Sequence, residues 1–549
     1  MDEPVDENKA PRWGFMSGPW AVRIKIIVLA LCLAAPSIWM LASVPPLWRD
    51  ADAYNQVSAS PARATAAGHG LLYCLVVRGP LYAGYVVERI SGTTEPAKES
   101  FFRSPQLTDT GVSLLITAQH LALIAAALVL ITSISRHAMI RVALAVFFAS
   151  NPIFYTFAHC VGSETLSMIC VLAFATFGLL AVRTPGVVTW RIWLAGGASL
   201  LAALLTRHAN SLLILVLPLT FFVGALTGDA RLKLRRALIA LAIGLSCLLL
   251  ARGAAHAVCA TEGLRFYPKL GFTFIWRIGF LHRLPPLERS ELLSRIERRT
   301  KTADGRTAVT VYRDLLAEDR PLHYQTVMDR MRNALAPPDV RVKARRVHEA
   351  LNDVASAFLL PPSAEHWAAA HHDIAQAGNW TLVQISKFLF FTTSYYWDHA
   401  QRVPKWTKLV TFRDYTREQL LAIPAEKPYF GLWQRLSMKS VVFLATGAVL
   451  ALALLGTLRR QEQLSISIYL FVLLLIGGSM IGLTALVGDL IPRYTLPLWE
   501  VSWIVLMVAL AEFGKVRRAR LGSQVKLPGG PSSLPPESAT PPGSTRGAS

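Results

Sequence analysis

The sequence is poor in acid and in cysteine, and it has none of the short motifs that mark soluble nucleotide enzymes. Against 56 Lys and Arg it sets only 35 Asp and Glu, a formal net charge of +21. Such a deficit raises the question of nucleic acid. The chain has no aromatic-basic module and no zinc spacing to go with it, so nucleic acid is excluded as a partner. The six cysteines are Cys32, Cys74, Cys160, Cys170, Cys247 and Cys259. No CxxC pair occurs among them, which argues against a metal centre built on sulfur. Cys32, Cys170 and Cys247 fall inside apolar runs. Cys74, Cys160 and Cys259 fall near one side of the topology derived below, which leaves room for one disulfide. There is no P-loop, no GxSxG, no dinucleotide fingerprint and no internal repeat. Residues 1–20 lack the basic-then-apolar order of a cleaved signal peptide, so the first apolar run is expected to stay as an anchor.

What is present is apolar length. Hydrophobic residues make up 53% of the chain, and the mean hydropathy is +0.39. Ten stretches read as membrane spans: 22–45, 111–134, 139–156, 164–182, 191–206, 209–227, 237–258, 438–457, 464–487 and 495–514. Pro152 cuts the third one short. Basic residues in short loops set the orientation. With the N-terminus inside, Arg136, Arg141, Arg183, Arg191, Arg231, Lys233, Arg235, Arg236, Arg459 and Arg460 are all cytoplasmic, and so are Lys515, Arg517, Arg518 and Arg520. The loop at 152–163 has neither Lys nor Arg. Arg207 and Arg493 are the outward exceptions.

This topology divides the chain. Residues 1–21 are cytoplasmic. Residues 22–258 form an N-terminal transmembrane module whose first outer loop is 46–110. Residues 259–437 form a large extracytoplasmic loop domain, 438–514 the C-terminal spans, and 515–549 a basic, then disordered, cytoplasmic tail. The segment LLYCLVVRGPLYAGYVVERI at 71–90 is broken by Gly79-Pro80 and reads as helices lying along the interface. In the large loop, amphipathic patterns at 287–299, 322–335, 339–358 and 363–376 read as helices. The aromatic segment 380–397 is expected at headgroup level. The expected fold is therefore an all-α polytopic membrane protein with about ten spans, interfacial helices and a mainly helical outer loop domain.

Chemistry-bearing residues gather on the outer side. LWRDADAYNQ (47–56) follows the first span at once and holds Asp50, Asp52 and Tyr54. In a helix Asp50 and Tyr54 share a face and Asp52 points roughly 200° away from Asp50; in an extended chain the two acids share a side. Either way one carboxylate is placed to accept a proton from a hydroxyl. The plainer reading is a helix cap. Glu164 opens the fourth span, where a helix N-terminus also suits an acid. Arg207, beside His208 in LLTRHAN, costs roughly 2.5–3.5 kcal/mol at mid-bilayer and less near the surface, where it either snorkels or contacts a lipid phosphate. Arg493, beside Tyr494 in IPRYTLPL, suits a phosphate clamp, with Asp489 as the competing partner. His69, in Gly68-His-Gly70, completes the candidate binding set. His366, His371, His372 and Asp373 read as a solvated helix face, because their spacing does not match helical zinc pairs.

Taken together, WRDADAY after the first span, NPIFYTFAHCVGSE in the second outer loop, the LLTRHANSLLILVLPL hairpin and the PRYTLPL turn resemble the GT-C superfamily of integral-membrane glycosyltransferases. That group includes protein O-mannosyltransferases and the aminoarabinose transferase of lipid A. The resemblance covers 22 to about 260 and 438–514, and leaves the 259–437 loop unplaced. It implies a polyprenyl-phosphate-linked sugar donor, a lipid, glycan or protein acceptor, and a site on the outer face of a bacterial inner membrane. By the same resemblance Asp50, Asp52 and Glu164 would be catalytic, and Tyr54, His69, Arg207, His208, Arg493 and Tyr494 would bind substrate. Many relatives have adjacent Asp-Glu where this chain has Asp-Ala-Asp, which leaves open the choice of base and the use of a divalent cation. No metal ligand and no other cofactor is assigned. A transporter or lipid flippase, or an inactive relative that binds a partner, are the rival readings.

Overall fold

The structure, a computed structural model, describes residues 19–524 apart from 96–99, 102, 228, 267–269, 319–321, 323, 337–343, 403–405, 407, 460 and 489. The expected disordered tail from 525, and Asp489, lie outside the described residues. The chain is an all-α polytopic membrane protein. Runs that are apolar on every side cannot bury themselves singly in water, and they close their backbone bonds within helices. In order these are α1 (Pro19–Ser43), α2 (Ala51–Ser58), α3 (Pro61–Ala66), α4 (Leu71–Val76), α5 (Arg78–Ile90), α6 (Asp109–Ile134), α7 (Ala138–Ala149), α8 (Pro152–Ala158), α9 (Ser163–Arg183), α10 (Trp190–Thr206), α11 (Val216–Ala225) and α12 (Ala230–Ala260). After the large loop come α24 (Met438–Arg459), α25 (Gln461–Val487) and α26 (Leu496–Gln524). Leu31, Ile38, Leu249, Leu250, Phe443 and Leu454 remain exposed, as lipid-facing side chains do.

Among the described residues nine helices are long and apolar enough to cross a membrane, or ten if the pair α7–α8, bent by 64° at Pro152, is one span. The set differs from the sequence reading in two places. The helix α10 is short at 17 residues, and 71–90 passes the same length and composition test. Contacts nevertheless lay α4–α5 across the ends of other helices. Gly70 abuts the last turn of α10 at Thr206, and Tyr73 Oη accepts from Gly162 N–H at 2.8 Å at the start of α9. Glu88, near the far end of α5, accepts from Thr110 N–H at 2.8 Å at the start of α6. Tyr73 Oη also lies 3.5 Å from Gln119 Oε1, so α4–α5 packs along the first turns of α6 at one end of the helix bundle. At Gly84 an added Cβ would stand 2.2 Å from the Gly111 backbone, so the close crossing of α5 and α6 depends on having no side chain there.

The large loop is helical and has two parts. Helices α13 (Leu270–Ile278), α14 (Pro286–Arg299), α15 (Ala303–Ala317), α16 (Tyr324–Leu335) and α17 (Ala344–Leu359) enclose a separate core around Ile275, Leu293, Val309, Leu315, Met331 and Val354. Next, α18 (Ala364–Gly378) packs on α25. His366, expected on a solvated face, is buried there: its Nε2 lies 2.9 Å from Leu486 O and its ring stacks 5.5 Å from Phe280. Asp373 is buried as well and pairs with Arg277 and Arg283. The aromatic segment is packed into protein over much of its length. It forms α19 (Leu382–Tyr395), which sinks Leu389, Phe390, Thr393 and Ser394 into the main core and leaves only a stripe such as Phe391 and Tyr395 outside. Four short helices, α20 (Trp397–Gln401), α21 (Val410–Arg413), α22 (Arg417–Glu426) and α23 (Pro428–Gly431), lead back to α24. All six cysteines are free thiols, so the disulfide for which the sequence left room is not formed. Helix α26 runs through the expected basic tail start at Lys515 to Gln524.

Candidate active site

Two parallel two-residue strands build the site. Strand β1 (Leu47–Trp48) pairs with β2 (Cys160–Val161), with Leu47 opposite Cys160 and Trp48 opposite Val161. Leu47 N–H donates to His159 O at 3.1 Å and Arg49 N–H to Val161 O at 3.3 Å. This register sets the residues after Trp48 beside those after Val161, so Arg49 and Asp50 meet Gly162 and Glu164. From the far side α19 holds β1, because the Thr393 hydroxyl accepts from Trp48 N–H at 3.0 Å. A Cβ on Gly162 would come within 2.8 Å of Glu164 Oε2 and 3.2 Å of Arg49 Cβ, so glycine is what lets arginine and glutamate approach.

Asp50 is both cap and ion-pair partner. Its Oδ1 accepts from Ala53 N–H at 2.9 Å at the start of α2, and from Arg49 Nε and Nη2 at 3.1 Å each. Its Oδ2 accepts from Arg493 Nη1. Burial would push the Asp50 carboxyl up, but the Arg49 and Arg493 guanidiniums outweigh it and hold the group well below the usual carboxylate range. Asp52 lies in the backbone of α2, and its side chain is outside the described residues. Glu164, in the first turn of α9, sits with Oε1 3.4 Å from Arg49 Nη1 and 3.6 Å from Arg207 Nη1. Arg207 ends α10 in an extended conformation before a 3-10 stretch, His208–Leu215. Asn210 anchors that stretch, donating from Nδ2 to Ser167 Oγ at 2.9 Å and to Ala203 O at 2.8 Å. Arg493 stands on the 3-10 turn Pro492–Thr495, over the Tyr494 ring at 5.1 Å, and its buried Nε–H has no acceptor among the described residues.

Asp50, Glu164, Arg207 and Arg493 therefore converge. All but Asp50 line one cavity of about 920 Å³, together with His69, His208 and Tyr494. His69 Nδ1 lies 3.0 Å from the Gln56 amide, whose oxygen, in the orientation that satisfies both neighbours, also accepts from Arg49 Nη1 and Nη2 at 3.1 and 2.9 Å. Tyr54 stands apart. Its ring packs 4.4 Å from Trp406 and 6.4 Å from Trp48, and burial raises its phenol. Among the cavity residues that escaped the sequence reading are Arg49, next to the acid that drew attention; Arg252, inside the apolar run of α12; and His256, one turn further on. Below its polar head the cavity follows Leu248, Ala251 and Ala255 of α12, with Leu204, Leu205 and Val487 opposite. Leu248 is twelve residues short of the end of α12, roughly 18 Å along the helix.

The described residues of the site do not suit a divalent cation. Among the described residues no group of three His, Cys, Asp or Glu could hold one. Asp50 and Glu164 are already matched to guanidiniums, which would repel it.

A buried polar chain braces the strand pair. Ser37 Oγ lies 2.9 Å from His120 Nδ1, His120 Nε2 3.2 Å from His159 Nδ1, and His159 Nε2 2.9 Å from Val44 O. Val44 O only accepts, so His159 carries its proton on Nε2 and accepts from His120 Nε2–H; His120 Nδ1 accepts from the Ser37 hydroxyl. Both rings are neutral in this arrangement. Burial pushes the His159 imidazole down to about 4 from the ordinary 6.5, against the pull of the Val44 and Pro45 carbonyls. The unfolded chain takes up its proton first on acidification. Stability is thus expected to fall as pH drops from about 6.5 towards 4. Thermal unfolding between about pH 7.5 and about pH 5 should show this loss in the wild type and a smaller one in His159→Gln. An equal loss in both proteins would remove His159 as the cause.

No protein-family profile matches the chain, and no curated protein matches it. Among solved structures it is similar to the archaeal oligosaccharyltransferase AglB from Archaeoglobus fulgidus, in complex with an inhibitory peptide and a dolichol-phosphate. The TM-score is 0.41 and the identity 13%, over 94% of this chain and 53% of that one. It is also similar to ArnT from Cupriavidus metallidurans bound to undecaprenyl phosphate, with a TM-score of 0.31 and 14% identity over 93% of this chain and 81% of that one. The chain spans about half the length of the oligosaccharyltransferase.

Proposed function

We propose that this chain is an inverting glycosyltransferase of the GT-C kind, working at the outer face of a bacterial inner membrane on a polyprenyl-phosphate-linked sugar. The supporting observation is the convergence of two acids and three arginines at the head of a cavity that continues along an apolar stretch of Leu204, Leu205, Leu248, Ala251, Ala255 and Val487. An amphiphile with an anionic head and a long hydrocarbon tail matches both ends of such a cavity. The acceptor hydroxyl oxygen attacks the anomeric carbon and forms the new C–O bond. The bond from that carbon to the phosphate oxygen breaks, and the lipid phosphate leaves with the electron pair. The hydroxyl proton passes to Asp50. One displacement inverts the configuration.

The leaving phosphate needs charge stabilisation rather than an acid, and Arg207 and Arg493 supply it. Arg493 is paired with Asp50. A phosphate that draws Arg493 away frees Asp50 Oδ2 to face the acceptor, so donor binding and activation of the base are one event. Glu164 keeps Arg49 and Arg207 in place, and the large loop closes the cavity over the acceptor. The test is binding of undecaprenyl phosphate to purified protein. Arg207→Ala/Arg493→Ala should lose at least about tenfold in affinity, in line with the loss of two charge-assisted contacts. Unchanged affinity would sink the reading.

A further inference from the structure

Arg252 has no place in the mechanism above. It lies within α12, eight residues before the helix ends, and its side chain is exposed towards the cavity that it lines. No carboxylate among the described residues pairs with it. A guanidinium at membrane depth without a counter-charge is costly, and such residues persist where a ligand or pathway supplies the partner.

Its height follows from the packing. Helices α10 and α12 run side by side in the same direction, and Cys247 Sγ donates to Gly197 O at 3.4 Å. Counting on from that contact, Arg207 is ten residues up α10 and Arg252 five residues up α12. At 1.5 Å per residue Arg252 is roughly 7 Å below Arg207 on that count, and roughly 2 Å below it counting from the approach of Ile243 to Gly197, in both cases on the side towards the membrane interior. It acts electrostatically on His208, which follows Arg207. The cavity thus has an upper tier of Arg49, Arg207 and Arg493 and a lower cation on the wall along which an isoprenoid tail would run.

Charge matching gives the same picture. Of the five arginines lining the cavity, Arg63 pairs with Glu262 at 3.6 Å. Two of the upper three are offset by Asp50 and Glu164. One upper arginine and Arg252 remain uncompensated. A sugar linked through one phosphate brings one negative charge, and a sugar linked through two brings two.

We infer that Arg252 is a second anion position, lying tail-ward of Arg207 and Arg493, and that it takes the second phosphate of a polyprenyl diphosphate carrier. This rests on the glycosyl-transfer reading for the identity of the carrier. The phosphate next to the sugar meets the upper tier, and the one next to the tail meets Arg252.

The experiment compares binding of undecaprenyl diphosphate and undecaprenyl phosphate to the full chain in lipid nanodiscs. The wild type should hold the diphosphate at least tenfold more tightly. Arg252→Gln should lose about tenfold for the diphosphate and stay within twofold for the monophosphate, with Arg252→Lys keeping most of the preference. Equal affinities in the wild type, or equal weakening of both carriers by Arg252→Gln, would overturn the inference. So would displacement of the diphosphate by phosphatidylglycerol in the wild type but not in Arg252→Gln, since Arg252 would then serve bulk lipid headgroups. Arg207→Ala/Arg493→Ala separates the two levels. If it leaves both carriers bound while Arg252→Gln still discriminates, the transfer site is wrong and the lower anion position stands.

Discussion

Asp50→Asn should reduce transfer by about 10²–10⁴-fold while the protein stays folded and inserted, because the substitution removes the proton acceptor and keeps an N-cap. Asparagine still offers an oxygen to Ala53 N–H, which Asp50 Oδ1 now satisfies at 2.9 Å. It cannot take the acceptor proton, and it leaves Arg49 and Arg493 facing one another without a charge between them. The measurement is incorporation of label from the polyprenyl-linked sugar pool into product, in membranes that carry equal amounts of each variant. Asp52→Asn is the companion. An active Asp50→Asn beside a dead Asp52→Asn would move the base by two residues, and activity in both would remove it from this loop. The pairing of Asp50 also fixes a sign. Its folded carboxyl is held below the usual range, so the stability it contributes is present above the unfolded value of 3.8 and is lost as pH falls below it. That window lies under the one in which His159 acts.

The largest effect on folding is expected at Arg49. Arg49→Met keeps an unbranched apolar stem and removes the guanidinium with its charge, and it should cost about 3–5 kcal/mol, as does breaking a buried ion pair from one side. Arg49 is only 7% exposed. It donates to Asp50 through Nε and Nη2, to Glu164 through Nη1, and to the Gln56 amide oxygen. Without it, Glu164 keeps only Arg207, at 3.6 Å. The thermal midpoint in detergent should fall by several degrees. Adding Glu164→Gln should recover part of the loss, since the second change removes the charge that the first one stranded. A midpoint within a degree of the wild type would mean that the cluster is held by its backbone alone.

Much of the architecture was legible because membrane helices are specified by length and apolarity, which a sequence displays directly. That Arg207 and Arg493 stand apart was legible too, since each breaks an otherwise regular charge pattern. That they meet Asp50 and Glu164 was not, since β1 and β2 are two residues long and carry no period to detect. Arg49 was hidden by its neighbour; a lone arginine beside an acid reads as its local partner, and only the strand register reveals Glu164 across from it. Arg252 was hidden by averaging, because one charge barely lowers the hydropathy of a 31-residue helix. The failure at His366 has another origin. Spacing describes a segment by itself, whereas burial of this residue depends on α25, which arrives from a distant part of the chain.

The grip of Thr393 on Trp48 divides the 180 or so residues between α12 and α24 into parts with different freedom to vary. Helices α13 to α17 fill their own core and can be exchanged as a cassette, in descent or by grafting, provided that the Arg277–Asp373 lock to α18 is rebuilt. Helix α19 cannot travel with them. It is the floor under the strand that presents Arg49 and Asp50. A chimera joined after α18 should therefore inherit a new acceptor preference on the old chemistry, whereas one joined after α19 would replace the ground on which that chemistry stands.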